Sequence, residues 1–222
     1  MLEYLVFDLD ETIYPRGSGL MQAVSERISL YMIERIKMAP EIVPRLRHDY
    51  WEKYGTTSRG LQLLHGLDMD DYMQYVHDVP LSDYIGRDPA LDAALRSLPQ
   101  RKVIFTNATA AHAQAVLDVV GVAHHFEAVF DVYFAGNQGK PALGSYRRLL
   151  DALDVPGHRC LMAEDTARNL RPARQLGMTT VLVAPLPGGD VDGADYVIDR
   201  AADITRVVAD LGRVQPDGTR HG

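Results

Sequence analysis

Four short stretches concentrate the residues able to do polar chemistry: Asp8-Leu9-Asp10-Glu11-Thr12, Thr106-Asn107, Lys140-Pro141 and Glu164-Asp165. Ionised carboxylates gathered in one place repel, so either a proton is taken up or a cation binds. Hard oxygen donors suit Mg2+, a metal that also engages substrate phosphate. An EF-hand reading of the loop starting at Asp8 fails, because its sixth position is Ile13 rather than Gly and its twelfth is Gly19 rather than Glu. Lys140 precedes Pro141 at an expected helix start, where the macrodipole disfavours a cation, so an anion or carboxylates should lie nearby. Thr106 and Asn107 are expected to open a helix, and free N–H groups there form an anion site to which the Thr hydroxyl adds a donor. Each stretch taken singly also has a purely structural reading. The acids can cap helices and form turns, Lys140 can be a solvated surface lysine, and Thr106-Asn107 can be a plain N-cap.

Only a common scaffold can bring the four together. Tyr4-Leu5-Val6-Phe7 reads as a strand ended by Asp8, and further apolar strands are expected at 102–105, 129–134, 160–162, 180–183 and 196–198. Helical spacing alternates with them: 90–98, 110–120 (stopped by Gly121), 141–153 (Pro141 in its first turn), 166–176 and 201–211. Continuous apolar strands alternating with helices imply a parallel sheet covered on both faces, an α/β Rossmann-like fold. Ligands in such sheets bind at the carboxyl ends of strands, which is where the acids and Thr106-Asn107 fall. From Leu20 to about Tyr84 the periodicity is helical, with Ser58 and Asp70 as expected caps of short helices and no convincing strand. The expected organisation is a core of residues 1–14 and 86–211, an inserted all-helical cap of 15–85 and a mobile polar tail of 212–222.

Composition narrows the classes. The 222 residues carry a formal net charge of −7, which argues against nonspecific binding of nucleic-acid polymers. Cys160 is the only cysteine, so an internal disulfide, a Cys-based zinc site and an iron–sulfur cluster are excluded. It is expected to be a buried, inert thiol. The histidines show no zinc spacing: His124-His125 reads as a loop pair and His112 as a helix-face residue. Arg168, Arg171 and Arg174 read as a solvated helix face. No apolar run reaches the ~18–20 residues that span a bilayer, and Glu3 and Asp8 interrupt the apolar opening, so neither membrane nor leader is expected and the location expected is cytoplasmic.

In order and context the four stretches resemble the four motifs of the haloacid dehalogenase-like hydrolase superfamily, over residues 1 to about 211. The helical insertion resembles that superfamily's type 1 cap. Ile13-Tyr14-Pro15, the run Tyr54-Gly55-Thr56-Thr57-Ser58-Arg59-Gly60-Leu61, Ile104-Phe105-Thr106-Asn107, and Glu164-Asp165 followed by Arg168-Asn169-Leu170 are similar to its pyrimidine 5′-nucleotidase branch. The resemblance implies a Mg2+-dependent phosphomonoesterase hydrolysing UMP or CMP. Asp8 would be the nucleophile that forms an aspartyl-phosphate, and Asp10 the general acid and then base. Lys140 would neutralise charge, and Thr106 and the Asn107 N–H would hold phosphoryl oxygens. Asp8, the Asp10 carbonyl, Asp165 and, through water, Glu164 would hold Mg2+. The Glu-Asp form of the last motif departs from the Asp-Asp form of many relatives, and a glutamate can still ligate through water. The cap tyrosines are candidates to stack on a base, with Arg59 or Gln62 reading its polar edges, although helix packing is the favoured reading of any single tyrosine. A phosphoglycolate or sugar-phosphate phosphatase, a β-phosphoglucomutase-like mutase and a non-catalytic binding protein remain alternatives. The expected partner is a small-molecule phosphate monoester, and a homodimer stays open.

Overall fold

The computed structural model describes residues 2–213. In chain order it contains β1 (Tyr4–Phe7), α1 (Leu20–Glu34), α2 (Val43–Tyr54), α3 (Thr57–His65), α4 (Met69–Val76), α5 (Pro89–Ser97), β2 (Arg101–Phe105), α6 (Ala110–Val120), β3 (Ala128–Phe130), α7 (Leu143–Leu153), β4 (Cys160–Glu164), α8 (Ala167–Gln175), β5 (Thr179–Val183), β6 (Tyr196–Ile198) and α9 (Ile204–Arg213). All strand pairs are parallel, in the order β3-β2-β1-β4-β5-β6. The strand order reverses at β1, with β2 and β3 laid down on one side of it and β4 to β6 on the other, and there the strand ends open a crevice.

Side-chain alternation sorts the two faces. Leu5 and Phe7 join a core with Leu91 and Leu95 of α5, Val116 of α6 and Ile204 of α9. Tyr4 and Val6 point the other way, onto Tyr146 and Leu149 of α7 and Leu170 of α8. Burial on both faces is why these strands are apolar throughout. Phe7 has no solvent exposure, and truncating it to Ala would cost about 3–5 kcal/mol.

The helices α1–α4 between β1 and α5 form the cap and hold a third core around Tyr31, Met32, Tyr50, Leu61, Tyr72 and Met73. Tyr31 makes edge contacts with Tyr72 and Tyr75 at 5.1 and 5.3 Å. These tyrosines are chiefly packing residues. Gly60 admits the close approach of α2 and α3: a Cβ there would lie 2.6 Å from the Tyr50 Cβ.

Several local expectations are corrected. The strand expected over 129–134 ends at Phe130, because the Asp131 carboxylate accepts from the Phe134 N–H at 2.9 Å and closes a turn. Helix α7 starts at Leu143 rather than Pro141, leaving Lys140-Pro141 in the preceding turn. Thr106-Asn107 do not open α6, which begins at Ala110 under a Thr109 cap. The cap of α3 is Thr56, not Ser58, and that of α4 is Asp68, not Asp70. Gly212 lies inside α9, and the rest of the expected tail, 214–222, lies outside the described residues. Among the described residues no helix is long and apolar enough to cross a membrane.

Candidate active site

The register of β1 explains the convergence. Phe7 is paired with Ile104 on one side and Ala163 on the other, so the next residues, Asp8, Phe105-Thr106 and Glu164, emerge side by side. The Asp8 N–H donates to the Ala163 carbonyl at 2.9 Å, and the Thr106 N–H to that of Phe130 at 3.0 Å. Lys140 arrives from the turn before α7. Its ammonium, 1% exposed, donates to Asp8 Oδ1 and to Glu164 Oε2, the latter at 2.6 Å. The surface-lysine reading of Lys140 is therefore excluded. Asn107 sets this turn: its Nδ2 donates to the Lys140 carbonyl at 3.0 Å and its Oδ1 accepts from the Lys140 N–H at 2.6 Å. Thr106 Oγ1 accepts from the Ala108 N–H at 3.0 Å, and Asn169 Nδ2 donates to Glu164 Oε1 at 2.8 Å.

The electrostatics follow from one lysine facing several buried acids. Burial, then Glu164, pushes the Asp8 carboxyl up to about 7 against the pull of Lys140. Burial likewise raises Glu164 to about 7. Burial and Asp8 raise Asp165 to about 6, opposed by Arg16. Burial disfavours the Lys140 ammonium, but Asp8 and Glu164 outweigh it and hold the charge. Carboxylate oxygens of Asp8, Glu164 and Asp165 lie within 4.8 Å of one another. An excess of buried, hard oxygen donors over local cations fits a divalent metal such as Mg2+.

Asp10 has different surroundings. Its Oδ1 accepts from the Tyr14 hydroxyl at 2.7 Å and lies 3.6 Å from His112 Nε2. Burial works to raise its carboxyl, but His112, Tyr14 and His77 more than offset this and hold it below its ordinary value. The His112 and His77 rings stack at 4.0 Å across the seam between core and cap.

Tyr14, Arg16, His77 and His112 were not legible as site residues. Arg16 pairs with Asp165 and, at 3.2 Å, with Glu11. Tyr14 falls in the Ile13-Tyr14-Pro15 run singled out above, and its spacing of four from Asp10 in a tight turn is a further signal. Arg59, the expected reader of the leaving group, instead bonds Gln62 at 2.5 Å and lines neither cavity at the site. Arg168 is not a free surface residue: it donates to the carbonyls of Trp51 and Glu52 at 2.8 and 2.7 Å, tying α8 to the cap. His124 and His125, in a 3-10 turn, both converge on Asp92 Oδ1, at 3.1 and 2.7 Å, away from the strand ends. Their ligand atoms are close enough to hold a metal, an arrangement their spacing did not suggest.

Two cavities meet at Asp10. One of about 280 Å³ holds Asp8, Asp10, Thr106, Lys140, Glu164 and Asp165. The other, about 270 Å³, lies between cap and core and is bounded by Asp10 and His112 at the core end, with Arg47, Trp51, Tyr72 and Met73 contributed by the cap. A larger open groove of about 1030 Å³ runs along the seam past His77 and His112 but does not include Asp8.

Comparison with known proteins identifies the family and the fold. The family model of haloacid dehalogenase-like hydrolases matches residues 2–177. Phosphate metabolism protein 8 of Saccharomyces cerevisiae is 26% identical over 134 residues, covering 55% of this chain and 41% of that protein. The chain thus spans less than half the length of that curated relative. The structure of L-2-haloacid dehalogenase from Xanthobacter autotrophicus superposes with a TM-score of 0.63 at 19% identity, covering 97% of this chain and 100% of the other. That of β-phosphoglucomutase from Clostridium difficile gives 0.62 at 15% identity, covering 95% and 96%. At such identities the likeness is one of fold.

Proposed function

From the premise that the chain belongs to the haloacid dehalogenase-like hydrolase family, we propose that it is a Mg2+-dependent phosphomonoesterase, with pyrimidine nucleoside monophosphates as its leading substrates. The observation that carries the chemistry is Asp8 held by buried Lys140 at the end of β1, with Asp10 two residues on and two further acids at the end of β4. A dehalogenase needs the nucleophile but no acid at the position of Asp10. A phosphate ester needs both, because its leaving oxygen departs far more easily when protonated.

Asp8 attacks phosphorus in line and forms an aspartyl-phosphate, while Asp10 protonates the leaving oxygen. Asp10 then takes a proton from the water that releases phosphate. Binding of a phosphoryl dianion beside Asp10 raises its carboxyl, so the residue becomes an acid as substrate arrives. Lys140 offsets the repulsion between the anionic nucleophile and the anionic substrate. Thr106 and the Asn107 N–H hold phosphoryl oxygens, and Asn107 also fixes Lys140 through its side chain. Asp8, Asp165, the Asp10 carbonyl and, through water, Glu164 would hold Mg2+. The metal, when bound, neutralises charge developing on the phosphoryl oxygens. Residues 15–85 act as the cap that closes this site over residues 1–14 and 86–211 and excludes water.

Support for a nucleoside comes from the second cavity. Met21, Val24, Ile28, Met73 and Val76 make much of its wall apolar, and Trp51 and Tyr72 add aromatic surface. A glycolate or an open polyol would leave that wall wet, whereas a planar ring covers it. Arg47 supplies a cation there. Its terminal nitrogens donate to Ser25 and Ser29, it forms no ion pair among the described residues, and its buried Nε has no partner. A base carbonyl would complete its hydrogen bonding. We place the enzyme in the cytoplasm, acting on a small molecule.

The test is phosphate release from UMP, CMP, AMP, phosphoglycolate and sugar phosphates, with and without Mg2+, and with Asp8→Asn as the blank. Mg2+- and Asp8-dependent release that favours UMP and CMP is the expected result. The same dependence with another preference would retain the chemistry and reject the nucleotide. A phosphoenzyme that passes its phosphoryl group to a sugar hydroxyl instead of water would make the protein a mutase.

A further inference from the structure

We propose that Tyr14, with the His77–His112 stack, positions Asp10 so that its Oδ2, and not its Oδ1, delivers the proton to the leaving oxygen. This rests on the phosphoryl-transfer reading above. The Tyr14 side chain is almost completely buried, and its hydroxyl donates to Asp10 Oδ1 at 2.7 Å. The turn that brings them together is fixed by the backbone: the Ile13 N–H bonds the Leu9 carbonyl at 2.9 Å, and Glu11 adopts a left-handed φ of 57°. His112 Nε2 approaches the same Oδ1 at 3.6 Å and, although buried, has no hydrogen-bond partner. His77 comes from the cap, at the end of α4, and lies flat on His112, with 4.0 Å between centroids and 15° between planes. Its Nδ1 is likewise buried without a partner.

A protonated carboxyl has one O–H donor, and its other oxygen remains an acceptor. With Tyr14 donating into Oδ1 and an imidazole nitrogen facing it, a proton on Oδ1 would meet a hydrogen already there. The proton is therefore carried on Oδ2. As the Asp8 oxygen bonds to phosphorus, the bond from phosphorus to the leaving oxygen breaks and its electron pair stays on that oxygen. The Oδ2 proton moves to this oxygen, leaving Asp10 a carboxylate held by Tyr14. In the second step water attacks phosphorus and gives its proton to Asp10, which restores the acid as Asp8 and phosphate separate. Because His77 belongs to the cap and His112 to the core, seating the cap also completes the clamp. Tyr14, His77 and His112 are thus positioning residues acting through Asp10.

The experiment measures kcat/KM for a series of aryl phosphates, from p-nitrophenyl to phenyl phosphate, against the pKa of the leaving phenol. Wild type is compared with Asp8→Asn, Asp10→Asn, Tyr14→Phe, His112→Asn and His77→Ala. Tyr14→Phe should steepen the dependence, with a small loss for p-nitrophenyl phosphate and a loss of roughly tenfold for phenyl phosphate, part of the 10²–10⁴ that general acids supply. A purely structural role would lower every substrate by the same factor, and that parallel loss, or an unchanged slope, overturns the proposal. If Tyr14→Phe does not fold, His112→Asn takes its place with the same two outcomes. Steepening in His77→Ala supports the cap's share in the clamp, and a wild-type slope there removes it. Failure of the parent reading looks different: Asp8→Asn would stay active, or Asp10→Asn would keep the wild-type slope.

Discussion

Lys140 and Asp8 show how one ion pair at the residue scale serves two purposes that mutation can separate. The ammonium is buried and offset by Asp8 and Glu164, so removing it leaves two buried carboxylates facing each other. Lys140→Met should destabilise the fold by about 3–5 kcal/mol, read from urea unfolding, and abolish phosphate release. Asp8→Asn should do the opposite to stability. The Asp8 carboxyl already sits near 7 because burial and Glu164 resist its ionisation, and Lys140 keeps Glu164 as a partner. A melting temperature equal to or above wild type at pH 8, with turnover reduced by roughly 10³-fold or more, is the expected pair of results. A melting temperature clearly below wild type would mean that the Lys140–Asp8 attraction outweighs the burial cost.

At the scale of elements, the proposed choice of substrate rests on the seam between cap and core. Gly55 ends α2 with φ 91°, and a Cβ there would lie 2.8 Å from Pro141 Cδ and 3.4 Å from the Lys140 carbonyl. Gly55→Ala therefore strains the cap against the very turn that presents Lys140. A stability loss of more than about 1 kcal/mol, together with a raised KM, is expected in denaturation and steady-state kinetics. Arg47, carried by α2 across to α1, gives a finer test. Arg47→Met should raise KM for UMP by about tenfold, the equivalent of about 1.4 kcal/mol, and change KM for p-nitrophenyl phosphate far less. Equal changes for the two substrates would make Arg47 only a clamp on Ser25 and Ser29.

The whole molecule should register the acid cluster as a dependence of stability on pH and metal. Asp8 and Glu164 have folded-state values of about 7, and Asp165 about 6, above the ordinary carboxylate range. Between about pH 4 and 7 the folded protein binds more protons than the unfolded chain, so their contribution to stability is present at low pH and lost as pH rises through 6–7. A divalent cation bound by the ionised cluster would restore what is lost. The increase in melting temperature on adding Mg2+ should be clearly larger at pH 8 than at pH 5. A shift independent of pH would place the metal elsewhere.

The sequence by itself determined the alternating α/β order, the helical insertion after β1 and the four acid, amide and lysine stretches. These depend on local periodicity and on the rule that parallel strands end on a common edge. Asp8, Asp10, Glu164 and Asp165 could therefore be placed along one edge, whereas Lys140, in the turn before α7, was joined to them only through the family resemblance. The tertiary structure alone decided which oxygens face which donors: Asn107 on the backbone of Lys140, Tyr14 and His112 on Asp10, Arg16 on Asp165. It also replaced Arg59 by Arg47 as the cation in the cap–core cavity, and moved the caps of α3 and α4 to Thr56 and Asp68. Such contacts depend on how far a turn rotates and how the cap seats on the core. His77 and His112, or Arg47 and Asp10, meet only because packing carries them together, and no spacing along the chain encodes that distance.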